Sequence, residues 1–237
     1  MATNLYSKNF LVESSWEVCN QLGGIYTVIR SKLPATIEKW GGNYCLLGPM
    51  VNPDVDIEFD PISESVTPLG QAVSKMREMG YEVKYGRWLV TGRPLTVLLN
   101  PENAHSRLEA IKKRHFKNNN ITLRNNDGLY DGVLEWGDVC FTFLKVLEQS
   151  LKKQQLIAHF HEWMAATPLL DIASSELPIK TIFTTHATML GRVLAMNEEG
   201  FYKKLPAFNA VAEAKKYNVQ ALFEIEKEAA KNATIFT

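Results

Sequence analysis

Leu156-Ile-Ala-His-Phe-His-Glu-Trp163 is a short apolar run that ends in polar groups, and Lys180-Thr-Ile-Phe-Thr-Thr-His-Ala-Thr188 echoes it. Runs of this length, rich in branched and aromatic residues, predict strands buried on both faces of a parallel sheet. Between them the segment from Thr167 to Glu176 is expected to be a helix, with Thr167 as its cap and Pro168 in its first turn. Strand, helix and strand within about thirty residues make a crossover unit. Ligands of such sheets bind beyond the carboxyl ends of the strands. His161, Glu162, Thr185 and His186 are therefore expected at the site.

The composition narrows the class. A chain of 237 residues holds one large α/β domain or two small ones, and a hydrophobic fraction of 46% is ordinary for a chain with a core. Lys+Arg and Asp+Glu both number 26, so the net charge is zero, which argues against nucleic acid or an anionic membrane as the main partner. Cys19, Cys45 and Cys140 are scattered with no CxxC pair, which speaks against structural zinc or a disulfide framework and fits a reducing cytoplasm. Met1 to Asn4 lack the basic-then-apolar pattern of a signal peptide. No stretch approaches the roughly 20 apolar residues of a membrane-spanning helix. No His/Asp/Glu cluster has convincing metal-ligand spacing.

Outward from the central unit, Phe10-Leu-Val-Glu13 reads as the first strand. Gly23-Gly24 then precedes apolar positions 25, 28, 29 and 33, a helical spacing. Paired glycines there fit a phosphate- or sugar-contacting loop, because the backbone can be approached closely and the first helical N–H groups attract anions; they fit an ordinary glycine-rich turn as well. The dinucleotide fingerprint GxGxxG is absent, which lowers the case for a NAD enzyme. Further strands are expected at 43–48, 82–90 and 95–99, and helices at 69–79, 104–113 and 138–153. Residues 51–68 read as a surface connection and 116–128 as an exposed loop. A long helix is expected over 210–231, interrupted on its apolar face by Asn218, and 233–237 reads as a last strand.

Trp16-Glu-Val-Cys-Asn-Gln-Leu-Gly-Gly-Ile-Tyr-Thr-Val28 resembles the N-terminal motif of the large, UDP-glucose-using glycogen synthases. Trp40-Gly-Gly-Asn-Tyr-Cys-Leu-Leu-Gly-Pro49 and Tyr85-Gly-Arg-Trp-Leu89 continue the likeness. Ala158-His-Phe-His-Glu-Trp163 and Thr181-Ile-Phe-Thr-Thr-His-Ala-Thr-Met-Leu-Gly-Arg192 are its most specific parts. The likeness runs in order along nearly the whole chain and is weakest near 100–130. It implies a retaining glycosyltransferase of the GT-B type. Residues 1–237 would be its N-terminal domain, a Rossmann-like parallel sheet with helices on both faces. Most of the nucleotide-sugar site would belong to a second domain absent from this chain, so the chain alone would be inactive. The implied reaction moves glucose from a nucleotide diphosphate to the non-reducing end of an α-1,4-glucan.

The same resemblance assigns roles. Arg192 matches an arginine that stabilises the leaving phosphate, and His186 a histidine that contacts the donor sugar or phosphate. Gly23 and Gly24 match a loop near the donor phosphate. Gln21 is a departure, since the family carries a basic residue there. His161 and Glu162 either line the substrate pocket or form a buried hydrogen-bonding pair; both readings stand. His159, deeper in the strand, reads as structural, and Trp163 as core. Neither cofactor nor metal is implied. The implied partners are the nucleotide-sugar donor and glycogen or another α-glucan, and a homo-oligomer is left open. The competing reading is a non-catalytic glucan-binding module.

Overall fold

The computed structural model describes residues 8–64, 66–124 and 127–237. Met1 to Asn4, read above for a signal peptide, lie outside them. Strand β1 (Asn9–Ser14) leads through a turn into α1 (Gly24–Trp40), then β2 (Tyr44–Pro49), the short β3 (Phe59–Pro61) and α2 (Pro68–Glu78). The hairpin β4 (Val83–Trp88) and β5 (Leu95–Leu99) follows, then α3 (Leu108–Asn119) and the long α4 (Gly128–Leu151). The central unit is β6 (Gln155–His161), α5 (Trp163–Ala173) and β7 (Lys180–Thr184). The chain continues through α6 (Met189–Asn197), α7 (Phe201–Lys204), α8 (Ala210–Lys216) and α9 (Gln220–Asn232) to β8 (Ile235–Phe236).

Among the described residues, eight strands join one sheet in the order β3-β4-β5-β2-β1-β6-β7-β8. The pairs β5·β2, β2·β1, β1·β6, β6·β7 and β7·β8 are parallel, as expected. The sheet as a whole is mixed, because β3·β4 and β4·β5 are antiparallel. The cause is local: Gly92 and Arg93 both hold positive φ, which turns the chain back on itself between β4 and β5.

Strand alternation splits the apolar residues between two faces. Phe10, Val12, Cys45 and Leu47 face a large core built with α2, α4, α5 and α9. Leu11, Tyr44 and Leu46 face the other side, where Tyr26, Ile29 and Leu33 of α1 close over them. The predicted helices on both faces are present.

Several boundaries differ from the sequence reading. Helix α5 starts at Trp163, so Pro168 sits inside it and Thr167 does not cap it. The cap signals misled because α4 covers this stretch closely enough to hold the helix through its proline. Helix α4 begins ten residues earlier than expected, capped by Asp127, whose side chain accepts from the Tyr130 N–H. Helix α3 runs on to Asn119, into the segment read as loop, and Asn120 ends it with φ 55°. Of that expected loop, Asn125 and Asn126 lie outside the described residues. The long C-terminal helix is two, broken where Asn218 takes φ 55°. Among the described residues, no helix is long and apolar enough to cross a membrane.

Candidate active site

The parallel strands end at one edge, and the polar residues of that edge meet there. Glu13, next to last in β1, has only 1% of its surface exposed, and four groups converge on its carboxylate. The Tyr44 hydroxyl donates to Oε2 at 2.6 Å, and His161 Nε2 lies 2.6 Å from Oε1. The Lys32 ammonium, from the third turn of α1, pairs with Oε1, and His159 Nδ1 lies 3.8 Å from it. Burial alone would raise this carboxyl. The hydrogen bond from His161 and the Lys32 charge outweigh it and hold Glu13 well below the usual carboxylate range. Burial, with His161 alongside, pushes His159 down to about 3. Its Nε2 meets Thr184 Oγ1 at 2.8 Å. Among the described residues Glu13, His159 and His161 are the one group whose ligand atoms cluster within 4.8 Å, but Lys32 already supplies a positive charge to it.

The second half of the cluster comes from the ends of β6 and β7. His161 Nδ1 lies 3.2 Å from His186 Nε2, and the two ring planes differ by 15°. Partial burial, with His161 beside it, lowers His186, so its ring is neutral at pH 7. Glu162 sits between β6 and α5 at φ 64°, ψ 171°, a conformation that glycine alone adopts readily. Its carboxylate turns to the neighbouring loop and accepts the His186 N–H at 2.6 Å and the Ala187 N–H at 3.0 Å. That loop runs into α6. Thr188 caps α6 by accepting from Gly191, and buried Glu226 of α9 takes the Met189 N–H on both oxygens, at 3.1 and 3.0 Å. Burial raises the Glu226 carboxyl to about 8 against the pull of that N–H. Arg192, in the first turns of α6, donates from Nε to the Ala187 carbonyl at 3.0 Å, and its Nη2 is 4.0 Å from Glu162. It stays 54% exposed, so the outer face of its guanidinium is open to a ligand.

The structure thus brings His161, Glu162, His186 and Arg192 into one hydrogen-bonded group. Gln21, Gly23 and Gly24 are exposed where the turn after β1 enters α1. The Gly23 and Tyr26 N–H groups both donate to Glu17 Oε2, at 2.8 and 2.9 Å, so an internal carboxylate already fills part of the anion-attracting end of α1. A Cβ added at Gly24 would meet nothing within 4 Å, which leaves that stretch of backbone open to approach. Trp163 is core, as read. Glu13, Lys32, Glu17 and Glu226 are site residues that the sequence reading passed over. A charged residue closing a buried strand was the available signal for Glu13; nothing local distinguishes Lys32 from a surface lysine of α1.

Residues 13–237 match the family model described as glycogen synthase. The liver glycogen [starch] synthase of Rattus norvegicus is 36% identical over 227 residues, covering 96% of this chain and 32% of that protein. The glycogen [starch] synthase of Caenorhabditis elegans is 34% identical over 230 residues, and that of Neurospora crassa 33% over 229. The chain spans about a third of the length of these relatives (32–34%). With a match over almost its whole length, the chain belongs to the glycogen synthase family.

Proposed function

We propose that this chain is the N-terminal domain of a two-domain retaining glycosyltransferase that moves glucose from a nucleotide diphosphate sugar to the 4-hydroxyl of an α-1,4-glucan. The observation that carries the reading is the arrangement of His186 and Arg192 on one loop-helix junction at the carboxyl edge of the sheet, held there by Glu162. Transfer develops positive character on the sugar and negative charge on the leaving phosphate. A planar, permanently charged Arg fork suits that phosphate. Arg192 takes this role, with Nε anchored on Ala187 and its remaining donors outward. His186 contacts the donor sugar. His161 stands behind His186 rather than in the pocket, since it is buried at 2% exposure with both ring nitrogens engaged. Glu162 orders the loop, because its Oε1 accepts two backbone N–H groups. The open backbone at Gly24 takes the donor phosphate side. UDP-glucose is the donor, the cytoplasm the location, and the remaining donor contacts come from a second domain outside these 237 residues.

The test is glucose transfer to glycogen by the full-length polypeptide that contains this chain, with UDP-glucose and with ADP-glucose. Transfer is expected, preferring UDP-glucose. Arg192→Ala should lower kcat by about a hundredfold, the scale of losing one donor to a developing anion. The 237-residue chain alone should bind glycogen without turnover. Glycogen binding by a full-length polypeptide that transfers from neither donor would overturn the reading in favour of a glucan-binding module.

A further inference from the structure

We infer that Glu13 is a positioning residue for His186: acting through His161, it fixes where the protons of the imidazole pair sit, so that His186 keeps Nδ1 as a hydrogen-bond acceptor for the donor sugar. The inference rests on the proposed placement of His186 at that sugar. It follows from hydrogen-bond valence along one row of atoms. The Glu13 carboxylate can only accept, so the His161 nitrogen 2.6 Å from it must be the one carrying hydrogen, which is Nε2. The Lys32 ammonium pairs with the same Glu13 oxygen, and one N–H on each ring completes the row. His161 Nδ1 is then a lone pair. The 3.2 Å contact to His186 Nε2 is a hydrogen bond only if His186 donates, which puts the His186 proton on Nε2 and leaves Nδ1 without one. An acceptor nitrogen takes the hydrogen of a sugar hydroxyl; the opposite tautomer would present an N–H and favour a phosphate oxygen.

The groups around Glu13 hold this arrangement in one state. The Tyr44 hydroxyl occupies Oε2, and Lys32 and His161 share Oε1. His159, whose ring lies 4.2 Å from that of His161 at a tilt of 37°, has its Nε2 engaged by Thr184, so it does not compete for His186. The row runs from a fully buried carboxylate to an exposed ring, so the sugar-facing end is set by a residue that never touches substrate.

Two measurements decide it. Ring-nitrogen NMR on the histidine-labelled 237-residue chain should find hydrogen on Nε2 of both His161 and His186, with a scalar coupling across the His186–His161 bond. Hydrogen on His161 Nδ1 in that bond would overturn the inference, whatever the enzyme does. In the full-length polypeptide, Glu13→Gln should lower kcat/KM for transfer by about tenfold or more, the scale of one charge-assisted hydrogen bond. In a His186→Ala background the same change should cost under about twofold, because residues acting in series are not additive. Equal losses in both backgrounds would mean that Glu13 acts by a route other than His186. Failure of the unsubstituted polypeptide to transfer glucose would sink the functional reading instead, and the NMR result would still stand or fall on its own.

Discussion

Glu162 does two things at once. Its backbone takes the turn that ends β6, at a φ of 64° and ψ of 171°, and its carboxylate bridges the two N–H groups that start the next loop. The turn costs about 1–3 kcal/mol for any residue with a side chain. That strain persists because the bridge sets the direction of His186 and, through Ala187, of Arg192. Glycine would relieve the strain and alanine would not, while both lose the bridge. Chemical denaturation of the chain should therefore find Glu162→Gly more stable than Glu162→Ala by about 1 kcal/mol, with both less competent in transfer once placed in the full-length polypeptide. An alanine variant as stable as the glycine variant would show that the backbone stores no strain there. His161, Glu162 and His186 were legible in the sequence because polar groups closing apolar strands stand out, and Arg192 only through the family resemblance. Glu13 was not singled out, because its partners come from α1, β2 and β6, as far as 148 residues away.

At the scale of elements, two contacts decide how the helices sit. A Cβ added to Gly137 of α4 would lie 2.9 Å from the Thr167 Cβ and 3.5 Å from Pro168 Cδ of α5. Missing volume on α4 therefore makes room for the Thr167 side chain of α5, a relation between two elements that no local signal announces. Gly132, five residues earlier, would meet only Trp16, at 3.9 Å. Alanine gains about 1 kcal/mol over glycine in a helix interior, while overpacking costs about 1–3 kcal/mol. At Gly132 the first effect wins and at Gly137 the second. Thermal melts should show Gly132→Ala neutral or stabilised and Gly137→Ala several degrees lower; equal shifts would mean that α4 and α5 are not packed as described. The second contact is Glu226 of α9 on the first N–H of α6. Its folded pKa of about 8 lies above the ordinary 4.5, so folding favours the protonated carboxyl. That contribution is complete below about pH 4.5 and is lost as pH rises toward 8, a change of a few kcal/mol. Glu226→Gln keeps an acceptor for Met189 and carries no charge. Across pH 5 to 8 the variant should gain stability relative to the parent; a constant difference would mean that Glu226 does not titrate in this window.

Across the whole molecule the parallel strands share one polarity, and that polarity sorts chemistry from packing. Their carboxyl ends carry Glu13, His161, Glu162 and the His186 loop. Their amino ends meet a small cavity of about 220 Å³ lined by Gly41, Gly42, Tyr44, Gly92 and Arg93. The α/β class, the parallel centre and the site-bearing edge were readable because buried strands announce themselves as apolar runs and crossover units constrain direction. The antiparallel β3 and β4 and the true helix ends were not, because a turn at Gly92 and contacts between distant helices set them. The edge rule makes a prediction for the chain as a whole. In a backbone NMR titration with UDP-glucose, and separately with a maltooligosaccharide, shifts should concentrate on Gly24, Thr185, His186, Gly191 and Arg192. The signals of Gly41, Gly42 and Gly92 should stay in place, because none of the parallel strands brings its carboxyl end there. Binding will be weak if a second domain supplies most donor contacts, so the pattern of shifts and not their saturation is the readout. Shifts gathered around Gly92 and Arg93 would place the ligand at the opposite edge and remove the basis for assigning His186 and Arg192 to the donor.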